Sequence, residues 1–480
     1  MQPKLALALL IALLGLPLNA VRIESRVAIE RAVFHIDQGN FSLARSYLEI
    51  PLIDQRITTT ERSRAYYLQG FSFEQQKLYR SAVQEYNKAL AFNPANPATL
   101  SALGYLTYKG LGVNQDQVKA AQLLSTSAQL EHPPAMTGFG TLLLEGHGVQ
   151  QDVSLARNWL TRATQANHAE AYLLLAKSFR HPYASPPDPA KAQLYYDKAL
   201  VLNQPEAWLA LGHMHLNGEF GALDASQAAR LFERAGTAGV AAAQTSLAYL
   251  YLTGTGVELD HTQATQLYQQ AVEQGDPTAH YGLGYLIEVD SDLSLDEAAN
   301  KTVHAHYESA ARANYTPAQL SLSRLARAAG DISRSLHWLR QAAESGARAA
   351  YNTLAWELAT NPDDRLRDGA QALLYARKAL LEDDSSATLD TLAAAYAEAG
   401  QFAAAIETQR SALERLQAET AANQNPDSTE PDPTENGFRA EYQARLASYE
   451  ANQPWRETGR EVGQKKKRED SANANSEPAL

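Results

Sequence analysis

The sequence predicts an all-α fold, a right-handed superhelical solenoid of stacked antiparallel helix pairs. Alanine and leucine dominate the chain of 480 residues while valine and isoleucine are sparse, a composition that favours helices over strands. Four columns of similar residues also recur in steps of 36 along the middle of the chain. A fixed period of this length indicates stacked repeats, each of which is one supersecondary unit.

Each column has a chemistry that suits one place in a helix pair. A leucine or phenylalanine and the small residue after it fit the middle of a first helix, where a small side chain lets a second helix approach closely. The aspartate suits the N-cap of the second helix, and the alanine four residues later suits its buried face. The columns are Leu103, Phe139, Leu175, Leu211, Leu247 and Leu283; Gly104, Gly140, Ala176, Gly212, Ala248 and Gly284; Asp116, Asp152, Asp188, Asp224, Asp260 and Asp296; and Ala120, Ala156, Ala192, Ala228 and Ala264. A fifth column of large side chains, also predicted to be buried, follows three residues after the alanine: Leu123, Trp159, Tyr195, Leu231 and Leu267.

Three repeats carry a glycine pair in the loop between their two helices. The pairs are Gly110 and Gly112, Gly146 and Gly148, and Gly254 and Gly256. A phosphate-binding loop of the dinucleotide type needs a third glycine and a preceding strand, and the Walker type needs a lysine at a fixed spacing after its glycines. None of these features is present here. We therefore predict that these glycines end helices with positive φ, and we expect no nucleotide or other cofactor.

The segments that carry these columns resemble Sel-one-like repeats, a longer-looped relative of tetratricopeptide repeats. The resemblance covers about residues 97–314 and rests on segments such as ALGYLTYKGLGVNQDQVKAAQLL and LAYLYLTGTGVELDHTQATQLYQQAVEQGD. It implies stacked helix pairs and a role in recruiting protein partners, as in envelope assembly, polysaccharide export or signalling.

The flanking segments extend the predicted array in both directions. Residues 21–96 resemble tetratricopeptide repeats, with AYYLQGFSFEQQKLYRSAVQEYNKALAFNP as the better-marked unit. Residues 315–347 resemble a shortened unit, and residues 348–420 resemble two further tetratricopeptide repeats. We expect about eleven units in all.

Three segments follow the predicted array. Residues 421–437 are rich in Pro, Asp and Asn, which predicts a flexible insertion. Residues 438–456 suit a capping helix, since the last repeat of an array otherwise exposes an apolar edge. Residues 457–480 are predicted to be a disordered tail.

The first twenty residues have the features of a secretory signal peptide cleaved after Ala20. Lys4 precedes an apolar run from Leu5 to Leu16, and small residues follow it. The run is shorter than the roughly 20 residues that span a bilayer, although an uncleaved inner-membrane anchor stays an alternative. Val21 stands where a lipoprotein carries cysteine. We expect a periplasmic or secreted chain whose mature part does not insert into a membrane.

Composition and spacing argue against several kinds of chemistry. The net charge of -12 favours neither nucleic acid nor an anionic membrane, and the lack of cysteine excludes thiolate metal sites and cysteine nucleophiles. The histidines of HMH (213–215) and HAH (304–306) point about 200° apart on a helix, so neither pair can share a metal ion. An acidic cluster within residues 288–297 lacks the glycine of a calcium loop. We expect no metal, no catalytic residues and no enzymatic activity.

The remaining candidate site is the concave face that first helices line in stacked arrays. Side chains flanking the leucine and small-residue columns should point into it, and aromatic and arginine side chains are enriched where proteins bind partners. The candidates are Tyr67, Phe71, Tyr105, Tyr108, Lys177, Arg180, His213, Tyr249, Tyr281, Tyr285, Arg324 and Arg327. Packing of the tyrosines between repeats explains the same pattern equally well.

The function that these observations predict is an exported protein-protein interaction scaffold or adaptor of the bacterial envelope. Two alternatives use the same surface: a periplasmic regulator that restrains a sensor protein, and a glycan-binding module in which tyrosines stack on sugars. An enzyme such as a cell-wall hydrolase is the alternative from another class, and nothing in the sequence places its nucleophile, acid or metal.

Overall fold

Every regular element is helical in the part of the chain that the computed structural model describes, residues 18–180, 182–183, 186–291, 296–423 and 433–457. The chain divides into two compact units, Met1–Ala238 and Gly239–Leu480. The predicted signal peptide falls mostly outside the described residues, as do residues 424–432 of the predicted insertion and 458–480 of the predicted tail.

The first unit holds six helix pairs in its described residues. They are α1 (Leu18–Asp37) with α2 (Phe41–Ile53), α3 (Thr59–Gln75) with α4 (Tyr79–Phe92), α5 (Pro97–Lys109) with α6 (Gln117–Gln129), α7 (Pro133–Glu145) with α8 (Val153–Gln165), α9 (Ala169–Lys177) with α10 (Pro189–Val201), and α11 (Glu206–Leu216) with α12 (Ala225–Thr237).

The second unit holds five pairs and a last helix. They are α13 (Ala241–Thr253) with α14 (His261–Glu273), α15 (Thr278–Asp290) with α16 (Glu297–Arg312), α17 (Thr316–Ala328) with α18 (Ile332–Glu344), α19 (Arg348–Thr360) with α20 (Gly369–Glu382), α21 (Ser386–Glu398) with α22 (Phe402–Asn423), and then α23 (Pro433–Glu450). A short 3-10 turn, Asp364–Leu366, lies between α19 and α20.

The predicted all-α architecture of stacked helix pairs is confirmed. Each helix packs most extensively against its pair partner, and each pair stacks on the next within its unit. First helices of successive pairs also touch one another, as α5 touches α7 and α13 touches α15. Within each unit the first helices therefore form the inner layer.

The aspartate column caps the second helices, as the sequence predicts. Each of the six side chains accepts a hydrogen bond from the backbone N–H three residues later, at 2.9–3.0 Å. Asp331 and Asp368 do the same at the starts of α18 and α20. Each cap satisfies a backbone donor that the first helical turn leaves unpaired, a contribution of about 1 kcal/mol.

The two glycines of each Gly-x-Gly loop have different structural roles. Gly146 ends α7 with a φ of +72°, and Gly110 and Gly254 end their helices in the same left-handed conformation. Gly148 also has positive φ, and a methyl group on it would lie 2.1 Å from the backbone oxygen of Gln117, at the start of α6. The first glycine closes a helix, and in the loops of Gly112 and Gly148 the second lets the loop press against the backbone of the preceding repeat.

The small-residue column allows close contact within each pair, also as predicted. A methyl group on Gly140 would lie 2.9 Å from Cγ of buried Leu160, and one on Gly212 would lie 2.4 Å from the Phe232 ring. The alanine column is fully buried throughout.

The fifth column needs a correction of one position. The large side chains that fill the contact lie four residues after the alanine: Leu124, Leu160, Tyr196, Phe232 and Tyr268, all buried. Leu123, Trp159 and Tyr195 of the predicted column are only half-buried, although Leu231 and Leu267 are buried. A helix has 3.6 residues per turn, so the residues three and four positions after the alanine lie on either side of the same helix face. The spacing alone therefore did not show which of the two is buried.

Candidate partner-binding surface

The predicted binding residues all lie on first helices, or in the turn that directly follows one. Seven of them, from Tyr67 to His213, lie in the first unit, and five, from Tyr249 to Arg327, lie in the second. Their surroundings differ enough that each unit is described on its own.

In the first unit, a polar chain links three consecutive first helices. The hydroxyl of Tyr108, on α5, lies 2.9 Å from Nδ1 of His147, directly after α7. His147 pairs with Glu145 at 3.2 Å, and Nζ of Lys177, at the end of α9, lies 3.6 Å from the same carboxylate. Tyr108 and Lys177 thus hold neighbouring repeats together through side chains that the sequence analysis did not single out.

Arg180 and His213 lie at the next junction of the first unit. Nε of Arg180 donates to Glu219 at 2.9 Å, and Nη2 donates to the other oxygen of the same carboxylate. Burial lowers the pKa of the His213 imidazole, and the nearby charge of Arg180 lowers it further. Arg180 is therefore a fixed cation with a bidentate partner, beside a histidine that is neutral at pH 7.

The aromatic candidates of the first unit fall into two groups. Tyr67 lies between the rings of Phe71 and Tyr86, with centroid distances of 6.3 and 5.9 Å. Tyr86 in turn donates to Glu74 at 2.5 Å. Tyr105 differs, because 49% of it is exposed. Of the candidates in this unit, Tyr105 offers the most open aromatic surface, while Tyr67 and Phe71 belong largely to inter-repeat packing.

In the second unit, Tyr281 is the centre of an aromatic cluster. Its ring lies 5.3–6.3 Å from those of Tyr285, Tyr307 and Tyr315, and it is only 8% exposed. Burial raises the pKa of Tyr281, so its phenol stays protonated at all physiological pH values. Tyr281 packs within the unit, whereas Tyr249 and Tyr285 are half-buried on the same layer.

The two arginine candidates of the second unit bridge successive first helices. Arg324, on α17, pairs with Glu288 of α15, which also accepts from the Tyr307 hydroxyl at 2.6 Å. Arg327, on the same helix, pairs with Glu357 of α19 at 2.5 Å.

All four cationic candidates therefore have carboxylate partners on a neighbouring repeat. Their partners are Glu145, Glu219, Glu288 and Glu357, none of which was predicted from the sequence to pair with them. A search for opposite charges about one repeat apart would have found them, since the pairs are separated by 30 to 39 residues along the chain.

The C-terminal residues, where the sequence predicts a capping helix, make contacts that were not predicted. Arg445 of α23 lies 4.8–5.7 Å from the centroids of the Trp356, Tyr442 and Trp455 rings and pairs with Asp390 at 2.7 Å. Beyond α23 the chain turns back to α19, where the N–H of residue 457 donates to the carbonyl of residue 360 at 3.0 Å. This return segment contacts the C-terminal ends of α19 and α21, where Arg456 donates to the Ala359 carbonyl and pairs with Glu398.

The described residues were also searched for metal-binding groups and for membrane-spanning helices. Within them, no group of three or more His, Cys, Asp or Glu side chains has an arrangement suited to a metal ion. Nor does any helix among them have the length and apolar character required to cross a bilayer.

Paired helices with capped starts, glycine-closed ends and paired charges between neighbours define a helical-repeat protein. Comparison with known families identifies the repeat: the Sel1 repeat model matches residues 97–132, 133–168, 169–200, 205–240, 241–276 and 325–346. These six matched segments resemble Sel1 repeats. The matched segments do not include residues 277–314, where α16 is three residues longer than α14.

Solved structures include similar chains. The Sel1 repeat protein from Oxalobacter formigenes is 23% identical over 51% of this chain and 96% of its own, with a TM-score of 0.41. The antigen c5321 of uropathogenic Escherichia coli, described as displaying an SLR fold, is 20% identical over 97% of this chain and 99% of its own, also with a TM-score of 0.41. A search of curated proteins gave no match.

Proposed function

We propose that this protein is an exported interaction scaffold of the bacterial envelope, which binds protein partners through the inner layer of its first helices. The observation that carries the proposal is the surface around Tyr105. This half-exposed ring lies on the same helix as Tyr108, which begins the polar chain through His147 and Glu145 to Lys177.

This surface has the features of a protein-binding site. Tyrosine supplies a large amphipathic contact at little cost in conformational entropy, and it is enriched at interfaces. The polar chain holds its side chains in place before a partner arrives, which reduces the entropy lost on binding. Because Lys177 shares Glu145 with His147, recognition here depends on ring contact and hydrogen bonding more than on free charge.

Site-specific photo-crosslinking tests the proposed surface. A photoreactive phenylalanine analogue is placed at Tyr105 and, as a control, at Leu194, which is 50% exposed on the second helix α10. We expect a discrete adduct with one envelope protein from position 105 and none from position 194. Binding of that protein to the purified chain should weaken on Tyr105→Ala. Equal adducts from both positions, or none from position 105, would contradict the proposal.

The proposed export has its own test. The support for it is the charged start and apolar run within residues 1–20. N-terminal sequencing of the chain recovered from fractionated cells should begin at Val21, in the periplasm or the medium. An intact N-terminus in the cytoplasmic fraction would contradict export and leave the crosslinking test unaffected.

A further inference from the structure

A cavity of about 510 Å³ opens between α14, α15 and α16 in the second unit. Leu283, Leu286 and Ile287 of α15 give it an apolar lining, and His280 and His306 contribute imidazoles. Tyr105 belongs to the first unit, and none of the residues predicted to bind partners lines this cavity.

The two imidazoles face each other across neighbouring helices. Nδ1 of His280, on α15, lies 3.1 Å from Nδ1 of His306, on α16. At this distance one nitrogen carries the hydrogen and the other accepts it, so the pair is neutral or carries one positive charge.

The repeat fold does not require this histidine pair. Allowing for the three extra residues of α16, His306 occupies the column of Leu231 and Leu267, where the other Sel1-type repeats carry leucine, tyrosine or tryptophan. His280 stands in steps of 36 from Gln244 and Trp208. The neighbouring repeats fill this position differently: Gln244 accepts a hydrogen bond from Gln274, and the Arg234 guanidinium lies over the Trp208 ring. None of the equivalent positions carries histidine, so the imidazole pair is particular to this repeat.

The separation of the nitrogens fits a shared metal ion. Zinc binds imidazole nitrogen at about 2.0–2.1 Å with tetrahedral geometry, which places two ligand nitrogens about 3.3–3.4 Å apart. The observed 3.1 Å needs only a small side-chain rotation to reach that value. The carboxylates of Glu273 and Asp290 line the same cavity and favour a cation there, and the Asp290 carboxylate also lies 3.0 Å from Nδ1 of His261.

We propose that His280 and His306 form a binding site for a divalent transition-metal ion of the kind that prefers imidazole ligands, with Zn²⁺ as the reference ion. Among the described side chains no third protein ligand completes the set, so water fills the remaining positions. An ion with open positions can also accept a ligand from a bound molecule.

Calorimetric titration of Zn²⁺ into the full-length chain, without an affinity tag and freed of metal by chelation, tests the site at pH 7.5. We expect one ion per chain. His280→Gln and His306→Gln should each reduce the affinity about 10-fold or more. His304→Gln is the matched control, since His304 lies on the same helix with its Nδ1 bonded to the carbonyl of Asn300 at 2.9 Å, and it should bind as the wild type does.

Two results would overturn the proposal: no Zn²⁺ binding by the wild-type chain, or unchanged affinity in both His280→Gln and His306→Gln. Because a variant can also fail by misfolding, X-ray absorption at the zinc edge of the loaded wild-type chain gives an independent measurement. Two imidazole ligands with oxygen in the remaining positions would support the site, and fewer than two would overturn it.

Discussion

At the scale of single residues, Asp152 shows how one side chain determines where a repeat helix begins. Its carboxylate accepts from the N–H of Leu155 at 2.9 Å, and its backbone has the extended conformation of an N-cap. The same capping hydrogen bond recurs at every aspartate of the column, so a local residue marks the start of each second helix.

Replacement of Asp152 by alanine should therefore destabilise α8 without disturbing the core. We expect the free energy of unfolding to fall by about 1 kcal/mol, because one backbone donor loses its partner. The measurement is urea denaturation followed by helical circular dichroism. Asp197→Ala, an exposed position inside α10, is the control and should change stability by less than about 0.5 kcal/mol. Equal losses in both variants would contradict the capping role.

His213 should make the stability of the folded chain depend on pH. Burial lowers its pKa in the folded chain below the ordinary value of about 6.5, and Arg180 adds to the effect while Glu219 opposes it. The unfolded chain therefore binds the proton first as pH falls, and stability decreases below about pH 6.5 until the folded histidine also titrates.

His213→Gln should reduce this loss of stability on acidification. We expect the difference between unfolding midpoints at pH 7.5 and pH 5.5 to be smaller in the variant than in the wild type. Part of the difference should remain, since His132 and His168 also have pKa values lowered by burial. An unchanged difference would show that His213 titrates alike in both states.

At the scale of the element, the loop between paired helices depends on two glycines that the sequence presents as equivalent. Gly146 and Gly148 both have positive φ, so either gains backbone strain of about 1–2 kcal/mol when it acquires a side chain. Only Gly148 lies against other backbone: its substituent would meet the carbonyl of Gln117 and the nitrogen of Val118. The substituent on Gly146 would be 3.5 Å from the nearest atom, a side-chain carbon of Gln151.

Gly148→Ala should accordingly destabilise the first unit more than Gly146→Ala. We expect a loss of about 1–2 kcal/mol for Gly146→Ala and at least about 2 kcal/mol more for Gly148→Ala, since the loop must move away from α6. Paired urea denaturation curves of the two variants measure the difference. Equal losses would mean that the close approach of the loop to the preceding repeat contributes nothing beyond backbone conformation.

The elements also show what the sequence can and cannot predict. The caps, the αL glycines and the buried alanines depend on residues within a few positions of one another, and a step of 36 was enough to find them. The large residue that packs on the small-residue column was predicted one position too early. Residues three and four positions after the alanine both lie on the buried side of a helix, so the spacing alone did not distinguish them. The return segment escaped prediction because its contacts join residues as far apart as Ala359 and Arg456, a separation of 97.

The candidate binding surface could also be predicted only in part. That the candidates lie on first helices could be predicted, because the repeat fixes which helix each position belongs to. Whether a side chain there is open, as Tyr105 is, or buried, as Tyr281 is, depends on neighbours contributed by other repeats.

At the scale of the whole molecule, charged side chains connect successive repeats within each unit, and their burial determines how much each connection stabilises. Arg324 and Arg327 lie one turn apart on α17 and pair in opposite directions, with α15 and α19. The Arg324 side chain is 46% exposed, so water screens its pair. The Glu357 side chain is 4% exposed, and among the described residues Arg327 alone neutralises it at close range.

Replacing each arginine by alanine should show that the buried pair of Arg327 stabilises the fold more than the exposed pair of Arg324. Arg327→Ala leaves Glu357 buried with Asn361 as its remaining hydrogen-bond donor, and we expect a loss of about 3 kcal/mol. Arg324→Ala should cost less than about 1 kcal/mol. Adding Glu357→Gln to Arg327→Ala removes the unpaired charge and should recover part of the stability. Denaturation of the four chains, wild type included, measures all three values. If the two single variants lose equal stability, burial of Glu357 does not govern the strength of the contact between α17 and α19.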